Sequence, residues 1–94
     1  MYLYNISIIV EDDTVESLIN WVQQDWFKSL PQQSKLLKML DSPHEGQTYC
    51  IQTIFEHSSD IPKFQQDILS LLQIRIAEQH TNKAFLFDST MKYL

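Results

Sequence analysis

Cysteine and glycine are almost absent from this chain: one of each stands among 94 residues, with three prolines. A lone Cys50 excludes an internal disulfide framework and points to a reducing compartment, so a cytoplasmic location is expected. Basic side chains are scarce as well. Seven Lys and Arg face twelve Asp and Glu, for a net charge of -5. The electrostatic footprint of a nucleic-acid binder is therefore missing, and anionic membrane surfaces are disfavoured. No apolar run approaches the ~20 residues that cross a bilayer. No charged start leads into an apolar stretch with a small-residue cleavage site, so no secretory signal is expected. Low-complexity tracts and linkers are lacking too. The remaining reading is one small domain over residues 1–94. A domain of this size buries only just enough surface to fold alone, so a second copy of the chain would help.

What is present is alternation. In Tyr2 to Val10 (Y-L-Y-N-I-S-I-I-V), Tyr2, Tyr4, Ile6, Ile8 and Val10 share one side, while Leu3, Asn5, Ser7 and Ile9 share the other. β-branched and aromatic residues at period two predict a strand. Asp13 and Glu16 match a capping box opening a helix whose core stripe is Val15, Leu18, Ile19, Val22 and Trp26. Leu30-Pro31 stops it, because the residue before proline resists the helical region. Lys35 to Leu40 reads as a second strand. Asp41 to Gly46 is the strongest turn signal. Thr48 to Glu56 is a third strand, with Tyr49, Ile51, Thr53 and Phe55 on one face and Cys50, Gln52, Ile54 and Glu56 on the other. Ser59 and Asp60 are the expected N-cap of a second helix, with Pro62 in its first turn and Phe64, Ile68, Leu71, Leu72 and Arg75 as its stripe to about Gln79. Thr81-Asn82 offers a left-handed exit, and Ala84 to Tyr93 is the last strand.

Strand, helix, strand, strand, helix, strand is the split βαβ order. It predicts an α+β, ferredoxin-like βαββαβ fold: a four-stranded antiparallel sheet with two helices on one face. The other face is left open. It carries Leu3, Asn5, Ser7 and Ile9 beside Cys50, Gln52 and Ile54, too apolar for water and too polar for an ordinary core. Such a face marks an interaction surface, and a two-fold homodimer through the sheets is the expected way to bury it. A small-molecule ligand would then sit among a few polar groups in an apolar cavity.

The segments Y-N-I-S-I, Y-C-I-Q-T-I-F-E and F-L-F-D-S-T-M-K-Y-L resemble an uncharacterised bacterial family of small single-domain proteins, known only as a domain of unknown function. The likeness spans the whole chain. It implies a ferredoxin-like fold of the kind that pairs into dimeric α/β barrels, and it brings no activity and no catalytic residues. The wider group of such barrels includes cofactor-independent and haem-degrading monooxygenases. The haem-degrading members resemble this chain in an Asn on the first strand and a His on the second helix, positions comparable to Asn5 and His80. They also use a Trp later in the chain, whereas Trp21 and Trp26 both fall in helix one.

Six residues are thus the candidate ligand-binding set: Asn5, Ser7, Cys50 and Gln52 on the open face, Trp21 at the flank of helix one, and His80 at the end of helix two. Each has a plainer role beside it. Asn5 and Gln52 orient a carbonyl or carboxylate, or else pair with each other, since buried amides must be satisfied. Cys50 lacks a neighbour to make it a thiolate and reads as a small hydrophobe. Trp21 lines a cavity mouth or packs in the core. His44, His57 and His80 have no metal-ligand spacing, so no metal is expected, and no cofactor is called for. His57-Ser58-Ser59-Asp60 reads as helix capping rather than a triad, which needs spatial rather than consecutive assembly. Glu11-Asp12-Asp13 lacks the alternating ligands of a calcium loop. Two functions follow: a non-enzymatic homodimer binding a ligand or partner through the open face, or a cofactor-independent or haem-dependent monooxygenase using Asn5, with His80 as the haem ligand in the latter form. The second rests on fold analogy alone.

Overall fold

In a computed structural model describing all 94 residues, β1 (Tyr2–Val10), β2 (Lys35–Met39), β3 (Gln47–Phe55) and β4 (Ala84–Lys92) form one antiparallel sheet in the order β2-β3-β1-β4. β1 is the centre. It pairs with β3 from Tyr2↔Phe55 to Val10↔Gln47 and with β4 from Tyr2↔Lys92 to Val10↔Ala84, without interruption. The predicted alternation holds: Tyr4, Ile6, Ile8 and Val10 are fully buried, and the residues between them are half-buried. The buried side packs against α1 (Val15–Gln24), α2 (Ile61–Phe64) and α3 (Ser70–Gln79), through Leu18, Val22, Phe64, Leu72 and Ile76. Edge-to-face contacts join Phe64 to Tyr4 and to Phe55, with ring centroids 5.6 and 5.4 Å apart. The fold is the expected ferredoxin-like one.

The helix boundaries depart from expectation in three places. Thr14, not Asp13, is the N-cap residue of α1, and no side chain caps the helix. The Asp13 carboxylate instead accepts the Thr14 hydroxyl at 2.9 Å and the Lys83 ammonium at 3.3 Å. Lys83 also reaches Glu11 at 2.9 Å, so the acidic run ties the end of β1 to the start of β4. At its other end α1 gives way to a 3-10 turn at Trp26–Ser29 before Leu30 turns extended, as the following proline requires. Ser59 and Asp60 make no capping bond either; a 3-10 turn over Ser58–Asp60 leads into α2.

A fourth departure, inside the second helical segment, alters the core. Between α2 and α3 the chain makes a π-turn at Gln65–Leu69. Such a turn holds one extra residue and moves the buried stripe by one position. Of the expected stripe, Phe64 and Leu72 are buried, Ile68 is half-buried against the core and Leu71 is exposed, while Leu69 and Ile76 join the core. The carbonyls of the turn are not orphaned. The Trp26 indole donates to the Ile68 carbonyl at 3.0 Å, and the Ser70 hydroxyl donates to that of Gln66.

Two positions use left-handed backbone. Asn82, at φ 62°, makes the predicted exit into β4. Gly46, at φ 78°, lies against β1 so closely that a Cβ would stand 2.3 Å from the Val10 carbonyl oxygen. That oxygen belongs to a paired strand and cannot yield. Gly46→Ala is expected to destabilise the protein by about 2 to 4 kcal/mol, combining left-handed strain with a backbone clash. Urea denaturation measures this; a loss below about 0.5 kcal/mol would contradict the packing.

Candidate functional site

The register places the open face residue by residue. Odd positions of β1 lie away from the helices, and their partners follow: Asn5 beside Gln52 and Ser89, Ser7 beside Cys50 and Phe87, Ile9 beside Thr48 and Phe85, and Leu3 beside Ile54 and Met91. β2 adds Leu37 next to Cys50 and Met39 next to Thr48. Phe85 and Phe87 are 54% and 60% exposed, and Leu37, Met39 and Met91 are also open to water.

Across this apolar field runs a polar row. The Gln52 side-chain amide donates to the Asn5 carbonyl oxygen at 3.3 Å, and the Asn5 amide donates to the Ser7 hydroxyl at 3.0 Å. The Ser7 oxygen lies 3.7 Å from the Cys50 sulfur. Sequence reasoning therefore places Asn5, Ser7, Cys50 and Gln52 together correctly, and they bond to one another. The row is not saturated. The Gln52 carbonyl oxygen and a second N–H on each amide have no partner within it. A ligand offering both an acceptor and a donor matches what is left.

At one end of the face the Asp41–Gly46 turn folds over the sheet, held by a 2.7 Å bond between the Ser42 and Thr48 hydroxyls. Under it lies a hollow of about 250 Å³, walled by Ile9, Met39, Pro43 and Phe87 with Ser7 and His44 at its rim. A larger cleft of about 560 Å³ sits beyond the strand ends and is lined by Glu11, Asp12, Glu45 and Lys83. Its lysine is already engaged with carboxylates, and it stands apart from the row.

Trp21 and His80 do not belong to this face. Both lie in the helical layer, on the opposite side of the sheet. Trp21 packs on the core with the Arg75 guanidinium 5.1 Å from its ring centroid, and His80 closes α3. Asn5 and His80 are thus separated by the sheet, and they do not form one haem site. Trp21 is read from helix spacing and His80 from likeness, and neither reports which side of the sheet a helix faces. Phe85, Phe87 and Met91 are the residues the sequence reasoning missed on the open face. Their signal was available: they recur at period two in β4.

Tyr4 looks chemical and is structural. Its hydroxyl donates to the Asp88 carboxylate at 2.5 Å, and Gln65 donates to the same carboxylate at 3.2 Å. Burial first, and then the Asp88 bond, raise its pKa far above the ordinary tyrosine value, so it stays protonated.

His80 is 9% exposed, and its Nε2 has no partner. Burial, then the nearby positive charge of Arg75, hold its pKa below the usual 6.5. The folded state therefore binds fewer protons than the unfolded one as pH falls. Stability contributed at His80 is complete above pH 6.5 and declines as pH drops below it. His80→Gln is expected to flatten the decline between pH 7 and pH 5 in urea titrations; an unchanged slope would show that other groups cause it.

None of the curated proteins matches this chain. Among solved structures, it is similar to an ethyl tert-butyl ether d (ethd) family protein from Bacillus halodurans C-125, at 11% identity and a TM-score of 0.61 over 100% of both chains. It is also similar to a de novo designed protein, Foldit4, at 12% identity and a TM-score of 0.60, over 99% of this chain and 98% of that one. At such identities the likeness establishes the fold alone. The match to a family extends over residues 1–94, and the chain belongs to the family described as Domain of unknown function (DUF4286).

Proposed function

We propose that the chain is a homodimeric binding protein whose working surface is the open sheet face. Two copies stack sheet on sheet, and the Asn5–Gln52–Ser7–Cys50 row becomes a polar strip inside an apolar interior. The observation that carries this is the run of large apolar side chains standing in water on that face. Monomeric proteins rarely keep so continuous a patch exposed.

Size supports a second copy. A sheet of three nine-residue strands and one five-residue strand presents roughly 500 Å² to a partner. A pair would bury about 1,000 Å², the lower bound of a specific interface. The polar row supports a bound occupant too, because its members hydrogen-bond to one another while the spare Gln52 oxygen and amide hydrogens need a partner once they leave water. The unsatisfied Gln52 oxygen and amide hydrogens then select a ligand with an apolar body and a carboxamide head, which both donates and accepts.

Sedimentation is expected to show self-association at micromolar concentration. Leu37→Glu, at the side of the face farthest from β4, puts a charge from each copy into the interface. It should weaken that association by about 100-fold, or roughly 2.7 kcal/mol. A monomeric wild type defeats the dimer. For the ligand, millimolar benzamide should shift the side-chain amide signals of Asn5 and Gln52 in NMR while those of exposed Gln23 and Gln24 stay put. Unmoved Asn5 and Gln52 signals rule out the binding role.

A further inference from the structure

The two edges of the sheet are unlike. β2 is five residues long and carries Lys35 and Lys38, the usual protection of an edge against other strands. β4 is nine residues long, has no proline and no bulge, and is exposed along nearly all its length. Its hydrogen bonds show which groups are free. At one end the Glu11 amide donates to the Lys83 carbonyl, and at the other the Tyr93 amide donates to that of Met1. Bonded pairs alternate in an antiparallel ladder, so the odd residues of β4 face β1. The N–H and C=O groups of Ala84, Leu86, Asp88, Thr90 and Lys92 point outward, and no loop or helix backbone reaches them.

We infer that β4 pairs with β4 of a second copy, antiparallel about a two-fold axis at Ser89, joining two sheets edge to edge. This register uses the even residues for backbone bonds, as the free groups require. It sets Phe87 opposite the partner's Met91 and Phe85 opposite the partner's Tyr93, in the close pairs where side chains touch most. On the helical side it brings Lys92 diagonal to the partner's Asp88. The neighbouring register, centred on Asp88, would set like carboxylates directly opposed, which is unfavourable. A two-fold at this edge is perpendicular to the sheet, so both open faces stay on the same side and form one wider apolar layer. Stacked as proposed above, two such pairs close into a tetramer of dihedral symmetry. The edge pairing stands without the stacking; only the tetramer rests on it.

Amide hydrogen exchange on the intact protein tests the edge. The amides of Leu86, Asp88, Thr90 and Lys92 should exchange at least about 100-fold more slowly than those of Gln32 and Gln33 in the exposed turn. Thr90→Pro removes one outward N–H and no bond to β1. It should halve the assembly in sedimentation, whereas Thr90→Ala should not. Leu37→Glu should also halve it while leaving the even amides of β4 protected. Fast exchange at those amides, or an assembly unchanged by Thr90→Pro, overturns the inference. If Thr90→Pro does not fold, exchange in the wild type decides alone. If Thr90→Pro halves the assembly and Leu37→Glu does nothing, the edge pairing holds and the stacked face fails.

Discussion

The two-residue period of β1 is the constraint on which the rest depends. It is the only strand paired continuously on both sides over its full length. Its even side chains supply Tyr4, Ile6, Ile8 and Val10 to the core, and its odd ones supply Asn5 and Ser7 to the open face. One strand therefore sets both chemistries. A slip of one residue would exchange them, sinking an amide and a hydroxyl under the helices and putting four large apolar groups on the other side. The cost of that exchange, several kilocalories per unsatisfied or stranded group, holds the register.

The two layers treat their polar groups differently. In the helical layer most are tied off, His80 Nε2 and Arg75 Nε excepted. Tyr4, Asp88 and Gln65 bond in a triangle, the Trp26 indole occupies a carbonyl of the π-turn, and Lys83 bridges two acids. On the open face the bonds run along a row and leave spare capacity. The Cys50 sulfur has the Ser7 hydroxyl as its polar neighbour, and His44 lines the hollow that Ser7 also lines.

Much of this was legible in the sequence, for a physical reason. The first and third strands and the row of Asn5, Ser7, Cys50 and Gln52 follow from alternation, which is local and has an integer period; the second strand follows from a short Leu-rich run, and the fold class from the order of strands and helices. Asn82 followed from the one conformation that asparagine tolerates and most residues avoid. Helix ends were less readable. Asp13 satisfies a capping pattern, yet Lys83, seventy residues away, competes for its carboxylate. Trp21 and His80 were assigned to a surface that their helices do not touch, because helical spacing fixes a stripe without saying what lies across from it. The exposed aromatics of β4 were visible at period two, but their weight came only with the strand order, which makes β4 an edge.

The π-turn at Gln65–Leu69 has a consequence for how this chain tolerates change in length. Deleting one residue there would let Ile61–Gln79 wind as a regular α-helix, and Leu69, Leu72 and Ile76 would keep their places on the core stripe, because the turn holds the one residue by which they are displaced. The cost would fall on the Trp26 indole, whose acceptor is a carbonyl of that turn. The segment therefore has one residue of slack in the direction of loss, whereas an added residue would rotate everything after it by about 100°. Other variation in length is left to the Pro31–Ser34 connection and to the surface turn between β2 and β3.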